Sequence, residues 1–237
     1  VKTLNKVLAI AHRGASGYLP ENTLPAFHLA VEQGADAVEL DVHLSADGHP
    51  VVMHDPTVDR TTDGHGYIKD MTLADLRRLR CQGQKIPLLE DVLEELPREV
   101  LLAVEVKNGP VFYPGIEATL LATLSRHDRL ENTLVISFDH RVVKRLRKLS
   151  GGVKTGILFV CHPVRPVAMA KAANSQCVLP HWAFVTKSLV NTVHKAGLPV
   201  FAWVADDEDT MRQLLALGVD GIATNYPDRL VGILRGS

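Results

Sequence analysis

From residue 6 onward, short apolar runs alternate with amphipathic segments. The runs that read as strands are VLAIAH, AVELDVH, LLAVEVK, TLVISF, KTGILFV, CVLPHW, PVFAWVA and GIATN. Between them, apolar residues return at helical spacing over 24–33, 72–96 in two pieces, 116–127, 140–149, 166–173, 188–196 and 207–217. Asn22 or Thr23 stands where the first helix would be capped, and Gly34, Gly197 and Gly218 follow three of the helical segments. Eight β units with intervening helices in 237 residues predict an α/β fold of the (β/α)8 TIM-barrel type, one domain over 1–237. An open doubly wound sheet fits less well, because no GxGxxG or GxxxxGKS follows a strand and polar residues gather at several strand ends.

One stretch departs from the simple repeat. In VELDVHLSADGHPVVMHD, residues 38–55, valine and leucine alternate with Glu39, Asp41 and His43. Side chains two apart on a strand share a face, so Glu39 and Asp41 offer carboxylates to one side. PVVMH reads as a second strand, and the few residues around Asp47-Gly48 are too short for a parallel crossover. The two must pair as an antiparallel hairpin, which folds His54 back toward the acids. The insertion spans about 44–86, and its stretch from Pro56 to Lys85 is longer than an ordinary barrel loop, predicting a lid-like element over the mouth.

Charge narrows the function classes. With 26 basic and 27 acidic residues there is no general polyanion surface, so no nucleic-acid partner is expected and any phosphate recognition must be local. Cys81, Cys161 and Cys177 form no CxxC pair and suggest neither a disulfide framework nor a zinc site. The opening apolar run is too short for a secretory signal, and no stretch approaches a membrane span. A reducing, cytoplasmic setting without stable membrane association is expected, although a start at Val1 leaves room for a trimmed segment before it.

Strand C-terminal ends collect the chemistry. His12 and Arg13 follow the first strand, Glu39 and Asp41 lie on the second, His54 on the hairpin, and Glu105 and Lys107, again two apart, on the third. His181 and Trp203 come later. Barrel enzymes build their sites at this rim. Three carboxylates suit Mg²⁺ or Ca²⁺, which take oxygen ligands. A cation with Arg13 and Lys107 could hold a phosphodiester, and imidazoles titrate near working pH.

The blocks AHRGASGYLPENTLPAF, VELDVHLSADGHPVVMHD, DRTTDGHG, VEVK and DGIATNYP together resemble the motif set of the glycerophosphodiester phosphodiesterases. Five ordered blocks over nearly the whole chain are far more specific than HRG or EVK alone. The resemblance implies a TIM barrel related to the phosphatidylinositol-specific phospholipases C. It also implies a divalent metal, usually Mg²⁺ or Ca²⁺, on Glu39, Asp41 and Glu105, catalytic His12 and His54, and phosphate-binding Arg13 and Lys107. The implied reaction hydrolyses a small-molecule glycerophosphodiester to sn-glycerol 3-phosphate and an alcohol. A cyclic phosphate formed by the glycerol 2-hydroxyl is the expected route, and which histidine is acid and which base stays open.

Blander readings stand beside these. Glu39 and Asp41 could belong to a structural ion-pair network with Arg13 and Lys107, but three acids against two bases leave one acid unpaired. His28, His65, His127, His140, His162 and His194 read as solvated, and His43 and His49 as parts of the hairpin. His181 and Phe138 could touch substrate or close the barrel; Trp203 and Phe201 could wall the site or fill the core; Thr224 and Asn225 could contact phosphate or glycerol, or make a turn. Asp59, Arg60 and Thr61 read as holding the insertion together. The competing functions are a phospholipase acting on lysophospholipids or lipids, for which the sequence offers no clear apolar rim, and a non-catalytic phosphoester-binding barrel.

Overall fold

The computed structural model describes residues 6–236. Eight parallel strands among them close a ring in chain order: Leu8–His12, Ala37–Leu44, Leu101–Val106, Thr133–Ser137, Lys154–Phe159, Cys177–Pro180, Phe201–Ala202 and Gly221–Thr224. The seventh strand joins the eighth by a regular ladder and the sixth only through bridges at Val178–Val200 and His181–Trp203. That thin seam explains why PVFAWVA yields a strand of two residues.

Each strand is buried on both faces, as a barrel requires. Inside, Ile10, Ala37, Ala103, Ile136, Leu158, Leu179, Phe201 and Ala223 interdigitate, while two larger apolar layers lie between strands and helices. Helices predicted from periodicity form at 24–32, 116–126, 140–149, 166–172, 187–195 and 208–217, within a residue or two of expectation. A further helix, Pro227–Arg235, was not anticipated, although a proline at its first turn and left-handed Gly236 after it are start and stop signals.

The hairpin is antiparallel, with Val42 opposite Val52 and Leu44 opposite Pro50 across Gly48 at φ +85°. Beyond it the insertion is a packed unit with its own core of Val51, Met53, Val58, Ile68, Leu76, Ile86 and Leu88. The first half of the expected 72–96 helix shortens to one turn, Leu73–Leu76, opened by a Thr72–Asp75 capping box. The chain then leaves the helix for an antiparallel ribbon, Arg80–Cys81 against Gln84–Lys85, turned by Gln82 and Gly83 at positive φ. Helix Leu89–Glu95 completes the second half.

Arg129, 1% exposed, is the largest fully buried side chain among the described residues and has no carboxylate partner there. Its guanidinium instead donates to the carbonyls of Leu96, Pro97, Arg98 and Val100, the chain that leaves helix Leu89–Glu95 and enters the third strand. Arg129→Met keeps the apolar stem and strips those carbonyls of their donors. It should cost about 3 kcal/mol of stability, read as a lower urea midpoint at unchanged slope; an unchanged midpoint would contradict the structural role given to these bonds.

Candidate active site

Strand register brings the chemistry together. His12 lies beside Glu39 in the ladder of the first two strands, and Asp41 beside Glu105 in the next. One carboxylate oxygen from each of Glu39, Asp41 and Glu105 lies within 4.8 Å of the others, and all three residues are buried. His12, Arg13, Glu39, His54, Glu105 and Lys107 line one cavity at the C-terminal mouth, whose lining also includes Phe138 and Trp203. Asp41, 0% exposed, sits behind this lining.

The turn after the first strand aims Arg13 at the acids. Arg13 and Asn22 hold left-handed conformations, φ 57° and 56°, uncommon outside glycine and costing on the order of 1–3 kcal/mol each. In return, the Arg13 backbone N–H donates to Glu39 Oε2 at 3.0 Å and its Nε lies 3.3 Å from Asp41 Oδ2. Asn22 Nδ2 donates to the same Asp41 oxygen at 2.8 Å. Gly14, at φ +82°, could carry no side chain, because a Cβ would stand 2.6 Å from the Ala26 carbonyl carbon.

Lys107 Nζ lies 2.8 Å from Glu105 Oε1 and 3.3 Å from Asp41 Oδ1, an oxygen that accepts no hydrogen bond. Glu39 forms no ion pair with either base, so the ion-pair network leaves it over. The electrostatics follow. Burial raises Glu39, and Asp41 and Glu105 add to the shift. Burial likewise carries Glu105 up to about 7, against the pull of Lys107. At Asp41 burial is outweighed by Lys107 and Arg13, which hold the carboxyl at about 2. A buried site with three oxygen donors, one donor atom unbonded and acids in excess of bases has the composition a hard divalent cation takes.

The two histidines have different partners. His12 Nδ1 lies 2.8 Å from Asn225 Oδ1, and burial with nearby Arg13 lowers its pKa to about 4. His54 Nδ1 lies 2.6 Å from Asp55 Oδ1. Burial lowers His54 too, while Asp41 and Asp55 oppose the shift. Asp55 itself is held at about 2, first by its bond from Arg60. Arg60 Nε donates to Asp55 at 2.6 Å and its Nη2 to Glu21 at 2.7 Å, and Glu21 also pairs with Arg13. Arg60 therefore does more than hold the insertion together: through Asp55 and Glu21 it links His54 to Arg13. His43, buried in the hairpin, uses Nε2 to bond the His54 carbonyl at 3.0 Å and so fixes that segment.

Other expected residues take quieter positions. Trp203 lines the cavity, anchored by Nε1–H donation to the Leu179 carbonyl at 2.8 Å. His181 packs its ring on Trp203, centroids 5.2 Å apart, and accepts the Ala183 N–H; it is not among the residues lining the cavity. His194 is not simply solvated but bonds Asp220 at 2.7 Å, and His140 bonds the Leu158 carbonyl. Glu21, Asp55 and Asp206 carry no signal of their own in the sequence, because their partners are brought to them only by folding.

Known proteins resemble this chain over nearly its whole length. Residues 12–229 match the model of the glycerophosphoryl diester phosphodiesterase family. A glycerophosphodiester phosphodiesterase of Caldanaerobacter subterraneus is 38% identical over 239 residues, 97% of this chain and 98% of that one. Among solved structures, an Oleispira antarctica phosphodiesterase in complex with the product sn-glycerol-3-phosphate is 31% identical, with 96% of each chain covered and a TM-score of 0.88. A glycerophosphodiester phosphodiesterase of Thermotoga maritima, 27% identical, covers 97% of this chain and 100% of its own at a TM-score of 0.80. Among the described residues no helix is long and apolar enough to cross a membrane. The chain belongs to the glycerophosphoryl diester phosphodiesterase family.

Proposed function

We propose that this protein hydrolyses glycerophosphodiesters to sn-glycerol 3-phosphate and an alcohol, with a divalent metal such as Mg²⁺ or Ca²⁺ held by Glu39, Asp41 and Glu105. The observation that carries the reading is the buried acid triad, two of whose members, Glu39 and Glu105, line the same cavity as His12, His54, Arg13 and Lys107. A bound cation would supply charge neutralisation for the phosphodiester oxygens. Arg13 and Lys107, already turned toward the acids, are suited to hold the same phosphate.

The partners of the histidines support a division of labour. His12, kept neutral and bonded to an amide, takes the proton of the glycerol 2-hydroxyl as that oxygen attacks phosphorus. His54, with a carboxylate to steady its imidazolium, protonates the departing alcohol oxygen. Water then opens the cyclic phosphate with the roles reversed. Attack from within the substrate orders no second reactant, so proximity supplies part of the acceleration. A diester whose 2-hydroxyl is replaced by hydrogen tests this: no cleavage is expected, and turnover at the normal rate would replace the cyclic route with direct attack by water.

Metal affinity should depend on pH with a definite sign. Glu105 keeps its proton up to about 7 and Glu39 is raised as well, so a cation must displace protons that ordinary glutamates would already have lost. Affinity therefore weakens as pH falls below about 7, by roughly tenfold per pH unit for each proton displaced. Calorimetric titration with Mg²⁺ at pH 6 and pH 8, in buffers of different ionisation enthalpy, should show weaker binding at pH 6 and proton release. Equal affinity without proton release would contradict it.

A second reading, cleavage of lysophospholipids, draws support from a feature that the sequence did not make legible. Phe112, Phe138, Val160, Val164 and Trp182 are exposed on loops that leave the third to sixth strands at the mouth. Glycerophosphocholine and a lysophosphatidylcholine compared at equal concentration below micelle formation separate the two; the leading reading expects the former to turn over faster.

A further inference from the structure

Three loops that are distant in sequence meet behind His12. Asp206 follows the seventh strand, Asn225 the eighth, and His12 ends the first. Asp206 Oδ1 accepts the Asn225 backbone N–H at 2.8 Å and the Thr224 hydroxyl at 3.1 Å, and Oδ2 accepts Asn225 Nδ2 at 2.7 Å. Asn225 Oδ1 lies 2.8 Å from His12 Nδ1 and 2.8 Å from Ser16 Oγ.

We propose that Asp206 is a positioning residue for His12: by dictating which way the Asn225 amide faces, it keeps hydrogen on His12 Nδ1 and the lone pair on Nε2. A carboxylate only accepts, so the amide nitrogen of Asn225 has to face Asp206. The amide oxygen then faces His12, and two acceptors cannot share one hydrogen bond. Nδ1 must be the donor. The direction of an amide is a choice made by its surroundings, and here the acceptor-only partner makes that choice. The inference rests on the reading of His12 as the group that takes a proton, since a base needs its lone pair on the nitrogen that no neighbour occupies.

The same logic says what Asp206→Asn does. The new amide meets two donors on Asn225, of which the backbone N–H cannot turn away. Its oxygen stays there, its nitrogen faces the Asn225 side chain, and that amide turns over to present oxygen. Asn225 Nδ2 is then left facing His12 Nδ1, which has to accept, and the hydrogen moves to Nε2. The base has lost its lone pair without any atom of substrate contact being changed.

Nitrogen-15 spectra of histidine-labelled protein read the tautomer directly, with the His12 signals identified by their loss in His12→Gln. Wild type should show hydrogen on Nδ1. Asp206→Asn should show it on Nε2, with kcat lowered about tenfold or more and KM within about twofold, whereas Asp206→Ala, which frees the amide, should give both forms. Wild-type His12 carrying hydrogen on Nε2, an Asp206→Asn protein that keeps it on Nδ1, or an inverted tautomer with unchanged kcat would each overturn the proposal. The wild-type spectrum decides even if a variant fails to fold. Should His12→Gln retain full turnover while the wild-type tautomer is as stated, it is the role of His12 in proton transfer that fails.

Discussion

Glu39→Gln should abolish measurable Mg²⁺ and Ca²⁺ binding and lower kcat/KM by about 10³-fold, with little change in the stability of the metal-free protein. Glu39 is the acid that the two bases leave over; it accepts the backbone N–H of Arg13. Buried among Asp41 and Glu105, it holds a proton more tightly than an ordinary glutamate. Burial and its two acidic neighbours already favour the uncharged form of Glu39, and a neutral amide of the same shape replaces it, so the fold loses little. The cation loses one of three anionic donors and the phosphodiester loses the cation's charge. Glu105→Gln should behave similarly but weaken Lys107 as well, because Glu105 is its nearest partner. Calorimetry for metal, thermal unfolding without metal and steady-state kinetics check the three parts. Full activity in Glu39→Gln would remove the triad from the mechanism.

His12→Gln and His54→Gln should each lower kcat by about 10² to 10⁴-fold toward diesters of ordinary alcohols, and the double variant should lose far less than the product of the two. The division of labour predicts that the two single variants part company on a better leaving group. Breaking the bond to a nitrophenolate needs no proton, so His54→Gln should recover most of its activity toward glycerophospho-nitrophenol. His12→Gln should not, because the 2-hydroxyl still has to lose its proton. Equal recovery by both variants would contradict the division, and recovery by His12→Gln alone would reverse it.

These effects also mark what the sequence could disclose. Glu39 with Asp41, and Glu105 with Lys107, were legible because a strand's two-residue period puts each pair on one face, and the short Asp47-Gly48 link forced the hairpin that returns His54. Barrel closure was legible from the β and α alternation, but not the register that sets His12 beside Glu39 and Asp41 beside Glu105. The supporting residues were hidden for a plain reason: Asp206 reaches His12 through Asn225, and Arg60 reaches Arg13 through Glu21, across loops whose paths periodicity does not specify. The ribbon turned by Gln82 and Gly83 and the helix opened by Pro227 did carry local signals, outweighed by the helical pattern before the one and the turn-like Asn225-Tyr226-Pro227 at the other.

Release of glycerol 3-phosphate from glycerophosphocholine, measured before chelation, after exhaustive chelation, and on return of Mg²⁺ or Ca²⁺, tests the metal-dependent hydrolysis most directly. Release that ceases on chelation and comes back with the cation is the predicted result. Release that continues undiminished in the chelated protein, or tight substrate binding without release in either metal, would contradict it.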